Sequence, residues 1–89
     1  MVRVCFTQNV QAYVRCPEVN AQGDTALKVL LSAFEQIPRA RGYFLDEQDQ
    51  LRQHVIVFID GAPIRDRAKL SDPVPPDATV YVMQALSGG

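Results

Sequence analysis

The residues whose chemistry is most readily stated are the last two, Gly88 and Gly89. Glycine has no Cβ, so a diglycine tail can thread a narrow channel and adopt backbone angles closed to other residues. Extended, Leu86 to Gly89 reach about 13 Å, which lets Leu86 rest at a channel mouth while the glycines lie inside. A terminal carboxylate, with a pKa of about 3.3–3.7, is ionised at neutral pH and resists nucleophilic attack. Sulfur or an amine can displace one of its oxygens only after activation, for which adenylation by ATP is suited. The chain has no P-loop pattern and no glycine-rich turn into a helix beyond Gly23, so no cofactor is expected to bind it. ATP is expected to be used by a separate activating enzyme. Two terminal glycines arise by chance in about one chain in two hundred. The pair gains weight because a final strand feeds directly into it.

Other reactive side chains are sparse. Cys5 and Cys16 fall on opposite faces of the hairpin that the N-terminal alternation suggests. No disulfide is expected between them, and both read as reduced structural thiols. His54 stands beside a strand with no second histidine, cysteine or carboxylate at ligand spacing; it reads as a surface residue, and no metal site is expected. Ser87 has no histidine or lysine placed to activate it and reads as part of the tail. Asp46, Glu47 and Asp49 form an acidic run, read first as a solvated loop and second as a surface for a basic rim on a partner.

A tail of this kind must project from something rigid. Val2, Val4 and Phe6 alternate with Arg3, Cys5 and Thr7, the period of a half-buried strand, and Ala12, Val14 and Cys16 suggest a second. The hairpin so formed pairs Val4 and Phe6 with Val14 and Ala12, with Pro17 at an edge or bulge. Gly23-Asp24-Thr25 is a helix start signal. Leu27, Leu30, Leu31, Phe34 and Ile37 then recur at three- and four-residue steps, predicting about three turns of amphipathic helix that Pro38 ends. Residues 39–53 read as a long connection with one helical turn at most. His54 to Ile59 is almost continuously apolar and predicts a central strand. Asp60-Gly61 marks a tight turn into a short return strand, Ala62 to Ile64. The last strand is predicted over Thr79 to Leu86.

One helix stripe must cover one face of a small mixed sheet, and strands supplied by both ends of the chain place the first beside the last. This is an α+β arrangement, the β-grasp of ubiquitin, with one domain over residues 1–86 and a flexible tail over 87–89. In it Arg3, Cys5, Tyr13, Ile56, Phe58, Tyr81 and Met83 point away from the helix. Ile56, Phe58, Tyr81 and Met83 then form an exposed apolar patch of the kind that marks a partner surface, with Leu86 and Ser87 continuing it toward the tail. The competing expectation is that residues 39–53 fold over this face and hide it.

The 89 residues leave room for a single core. A formal net charge of −1, with acidic residues beside both arginine clusters, Arg39 with Arg41 and Arg65 with Arg67, argues against nucleic acid as the partner. No apolar run approaches the ~20 residues of a membrane span, so no membrane association is expected. Arg3, Gln8 and Asn9 interrupt any signal-peptide core, which makes the expected location cytoplasmic.

The stretches Val55-Ile-Val-Phe-Ile-Asp-Gly and Val80-Tyr-Val-Met-Gln-Ala-Leu-Ser-Gly-Gly resemble the MoaD/ThiS group of ubiquitin-like sulfur carriers. The resemblance covers the whole outline and is most specific over residues 55–89. In that family an E1-like enzyme adenylates the terminal glycine, which becomes a thiocarboxylate and donates sulfur to a biosynthetic acceptor. The resemblance thus implies that Gly89 reacts, that Gly88 is its required neighbour, and that the partners are an E1-like adenylating enzyme and sulfur donor and acceptor enzymes. It implies a carrier, not an enzyme. The chain has Gln84-Ala85 where molybdopterin synthase small subunits usually carry paired prolines, and it is longer than thiamine carriers, which lack a segment like 39–53. Its length is more similar to carriers serving cysteine or siderophore-type sulfur chemistry. The alternatives are a ubiquitin-like modifier joined to lysines through Gly89, a molybdopterin synthase small subunit, and a non-catalytic β-grasp interaction module.

Overall fold

The computed structural model describes residues 1–6 and 18–84. Its elements in chain order are β1 (Val2–Phe6), β2 (Val19–Ala21), α1 (Ala26–Gln36), α2 (Pro38–Phe44), β3 (Val55–Ile59), β4 (Ala62–Pro63) and β5 (Thr79–Gln84). The strands form one sheet in the order β2-β1-β5-β3-β4. β1 and β5 run parallel, with Val4 beside Val80 and Phe6 beside Val82, while the other pairings are antiparallel. The first and last strands lie side by side, as the alternation implied, and the α+β β-grasp expectation holds. Val2, Val4, Phe6, Val55, Val57, Val80 and Val82 are buried on one face, because alternate residues of a strand share a face.

The helix α1 begins where its signals place it. Thr25 holds extended angles, φ −130° and ψ 160°, and its Oγ1 accepts from the Lys28 N–H at 3.4 Å. The N–H groups of Ala26 and Leu27 donate to the carbonyls of Asp72 and Leu70, each at 2.9 Å, and the Val74 N–H donates back to Asp24 O. The first-turn donors that a helix leaves without partners are thus taken up by the loop that leads into β5. This close approach requires Gly23: with φ +150°, a Cβ built there stands 2.7 Å from Lys28 Cβ and 2.8 Å from the Val29 nitrogen.

The residues at the centre of the helix interface are Ala26, Val29, Leu30, Ala33 and Phe34. Leu27, Leu31 and Ile37, expected within the stripe, are only partly buried at its margin. Small and large side chains share the centre, and the partly buried ones line its margin.

Two other expectations are corrected. The antiparallel partner of Val4 is Val19, not Val14. A three-residue strand carries too little alternation to show in a sequence, and residues 12–16 lie outside the described residues. Residues 39–53 hold more helix than one turn. Pro38 ends α1 and also stands in the first turn of α2, where its missing N–H costs no bond and its fixed φ suits a helix. Phe44, at the end of α2, is fully buried and stacks between Phe6 and Phe34, with ring centroids 5.5 and 5.6 Å away. The chain then turns back with Leu45 bridged to Leu51, both buried.

Carboxylates order the remaining loops. Asp46 Oδ1 accepts from the N–H groups of Gln48 and Gln50, and Asp49 pairs with Arg41 at 2.6 Å. Asp72 accepts from the N–H groups of Arg65 and Asp66, while Asp66 accepts from Ser71 Oγ at 2.5 Å and from the Lys69 N–H. The Ser71 bond first, and then the Lys69 N–H, hold the Asp66 carboxyl below its ordinary pKa. A depressed native pKa favours folding above the unfolded value and loses that contribution as pH falls through the native one.

Replacing Gly23 with Ala is expected to lower stability by about 1–3 kcal/mol, read as a drop in denaturation midpoint, because both the left-handed angle and the Lys28 contact oppose a Cβ. Asp66→Asn should flatten the acid limb of the stability–pH curve below about pH 4, with no change in its neutral limb's slope.

Candidate functional site: the open face and the central strand

β5 is flanked on both sides, by β1 and by β3, and its residues divide cleanly. Val80 and Val82 are fully buried, whereas Tyr81 is 44% exposed and Met83 half-buried. The register sets Tyr81 beside Cys5 on β1 and beside Phe58 on β3, with Pro63 of β4 opposite Phe58. Met83 stands beside Ile56. One face of the sheet therefore carries a row running Cys5, Tyr81, Phe58 and Pro63 across four strands, with Met83 and Ile56 adjoining it on the side toward the tail. Ile56, Phe58, Tyr81 and Met83 stand together as the parity of the two strands predicted, but of the four only Tyr81 is exposed, while Ile56, Phe58 and Met83 are half-buried. Tyr13, expected on the same face, and Leu86, Ser87, Gly88 and Gly89, expected beyond it, lie outside the described residues.

Residues 39–53 do not cover this face. Phe44, Leu45 and Leu51 are buried among the core residues on the helix side, with Phe44 against Phe6 and Phe34.

The polar margin of the row is an ion pair, Arg3 Nε to Glu18 Oε1 at 2.8 Å. Burial is the main cause that pushes the Cys5 thiol above its ordinary pKa; the Glu18 charge and hydrogen bond add to it, and Arg3 opposes it. The thiol is held protonated, which suits an apolar surface and not a nucleophile. On the opposite margin, Asp60, at φ +50°, exchanges bonds with β5: its N–H donates to Thr79 O and its Oδ1 accepts the Thr79 N–H, both at 2.9 Å.

The end of β5 that leads to the tail lies beside the start of β3, with Gln84 opposite Val55. Arg67 braces this corner, donating to Val55 O at 2.7 Å and to Arg52 O at 3.1 Å. His54 is half-buried there, edge-on to Tyr43 with centroids 5.3 Å apart. No periodicity points to Arg67, since its role depends on contacts across the loop after β4.

Among the described residues no group of three potential metal ligands occurs, and no polar or charged side chain is fully buried. No described helix is long and apolar enough to cross a membrane. Asp46 and Asp49 of the acidic run are engaged within their own loop and with Arg41.

No family model and no curated protein matches the chain. Solved structures do match it. Small archaeal modifier protein 1 (SAMP1) from Methanosarcina acetivorans superposes with a TM-score of 0.80 at 22% identity, over 99% of this chain and 95% of that one. CysO of Mycobacterium tuberculosis gives 0.79 at 17% identity, over 97% and 100%. The Amycolatopsis orientalis BexX/CysO complex gives 0.75 at 20% identity, over the full length of both chains. At these identities the likeness is one of fold: the described residues have the ubiquitin-like β-grasp of these small proteins.

The two faces make opposite demands on charge. Phe58→Asp, at a half-buried position, is expected to cost about 1–3 kcal/mol of stability and to keep a cooperative transition, whereas Val57→Asp buries a carboxylate and should abolish that transition. Circular dichroism melts of the pair check the assignment.

Proposed function

We propose that the protein is a sulfur carrier, a cosubstrate and not a catalyst, whose Gly89 carboxylate is activated by an E1-like enzyme and converted to a thiocarboxylate. The observation that carries this reading is the course of β5. It runs through the middle of the sheet beside the open apolar face, and the fourth and fifth residues beyond it are Gly88 and Gly89. Such an arrangement offers a partner both a rigid platform and a thin reactive segment. The fold shared with CysO in its complex with BexX supports it, because a protein of this architecture there docks on a second protein.

In the proposed reaction a Gly89 carboxylate oxygen attacks the α-phosphorus of ATP held by the activating enzyme, and pyrophosphate leaves. A sulfur nucleophile from a donor enzyme then displaces AMP from the acyl carbon. With sulfur at the sulfide level this gives the thiocarboxylate directly; its sulfur then attacks an electrophilic carbon of the acceptor, expelling that carbon's leaving group, and water cleaves the acyl–sulfur bond, which leaves the sulfur on the acceptor and returns the carboxylate. Gly88 provides clearance beside the reacting carbon, Leu86 and Ser87 line the channel mouth, and Ile56, Phe58, Tyr81 and Met83 dock on the activating enzyme. The protein is expected to work in the cytoplasm, without nucleic acid or membrane.

A second reading, a modifier joined to lysines through Gly89, is favoured by the likeness to SAMP1, which is named a modifier protein. Both readings share the adenylation step and diverge at the nucleophile.

The test is the high-resolution mass of the C-terminal peptide after incubation with ATP and a sulfur donor in extract of the source organism, beside a form lacking Gly89. The expected result is an oxygen-to-sulfur exchange localised to Gly89 and absent from the control. Gly89 linked to a lysine would establish the modifier instead, and an unmodified tail in an extract that loads a known carrier would exclude both. Phe58→Asp is expected to reduce loading at least about tenfold, the loss of one well-packed docking side chain.

A further inference from the structure

Two sulfur-bearing side chains stand on the open face. Cys5 of β1 is beside Tyr81, and Met83 of β5 is beside Ile56 at the end that leads to the tail. Their chemistry toward an oxidant differs. A thiol reacts with peroxide through its thiolate, and at Cys5 burial and the Glu18 charge hold the proton in place against the pull of Arg3. A thioether has no proton to lose, so its sulfur lone pair is available to a peroxide at neutral pH. Met83 is half-buried, and part of its side chain meets solvent.

The other methionine of the chain, Met1, is 65% exposed and lies at the opposite end of the sheet. Its ammonium pairs with Asp77 at 3.1 Å, just before β5 begins, whereas Met83 is next to the last residue of that strand. One oxidisable thioether is thus inside the proposed docking face, and one is remote from it on the same molecule.

We propose that Met83 is a redox-sensitive gate in the docking face: its oxidation to the sulfoxide by hydrogen peroxide closes the face to the activating enzyme, and reduction reopens it. The gate rests on the reading that Ile56, Phe58, Tyr81 and Met83 dock on that enzyme. In the reaction the thioether sulfur attacks one peroxide oxygen and the O–O bond breaks. The proton of the transferred oxygen joins the leaving hydroxide as water, so sulfur gives up two electrons and the peroxide takes them. The product carries a polar S–O group on the same unbranched side chain. Pressed against an apolar partner surface without a donor, that oxygen loses its hydration and gains no bond in return. Val80 and Val82, on the core side of the same strand, are untouched. Sulfoxide reductases, one for each epimer, remove the oxygen again.

The test treats the wild type and Met83→Leu with graded hydrogen peroxide and locates the sulfoxides by peptide mass. The initial rate of Gly89 loading is then measured with ATP and sulfide in desalted extract of the source organism, and each protein is scored against its own untreated rate. With Met83 oxidised, the wild type is expected to lose about tenfold or more in rate at low carrier concentration. It should keep a cooperative melt and recover its rate after treatment with both reductases. Met83→Leu, oxidised at Met1, should hold its own untreated rate. An equal loss in Met83→Leu would overturn the proposal, since Met1 or a thiol would then be responsible. So would undiminished loading of protein bearing the Met83 sulfoxide, or a Met83 that stays unoxidised after Met1 is consumed, or a loss matched by unfolding. An untreated wild type that takes up no sulfur would overturn the carrier reading itself, and the gate with it.

Discussion

A parallel pair of strands cannot be joined by a tight turn, and the β1–β5 ladder imposes this condition on everything between Phe6 and Thr79. The chain must leave the sheet, cross it and return in the same direction. The helix, the second helix and the two antiparallel edge pairings are what it builds on the way. Because β1 and β5 are buried on one face only, the crossing has to cover that face, and α1 does so with Ala26, Val29 and Ala33 at the contact. The return is fixed by the same contact: the loop carbonyls of Leu70 and Asp72 receive the first N–H groups of α1, so the segment that delivers β5 to the centre also completes the helix. Gly23 stands where these elements meet, and no side chain fits there.

This packing leaves an asymmetric object. One face of the sheet is consumed by the core. The remaining face presents a tyrosine, two other apolar side chains in register with it, and a thiol held protonated by burial and by Glu18. Such a surface suits docking more than chemistry, which agrees with the lack of any fully buried polar group among the described residues.

β1 and β5 were legible through their alternation and β3 through its continuous apolar run, each over five or six residues, and the row Ile56, Phe58, Tyr81 and Met83 follows from the parity of β3 and β5. The start of α1 was legible through Thr25 and its end through Pro38. The second role of Pro38 was not, since a proline reads as a stop unless the following residues announce a helix, and Arg39-Ala-Arg-Gly-Tyr do so weakly. β2 escaped notice because three residues hold no period, while Ala12, Val14 and Cys16 offered a longer alternation nearby. The roles of Arg67, Asp66 and Asp72 rest on loop geometry that no spacing encodes. The diglycine was visible at once, but it lies outside the described residues.

The position of β5 has a mechanical side. A pull on the tail along the strand axis loads the ladders to β1 and β3 together, and every bond in both resists sliding at the same moment. A strand at the rim would instead unzip, one bond after another. A load applied at the end of β5 is therefore carried by a strand anchored on both sides.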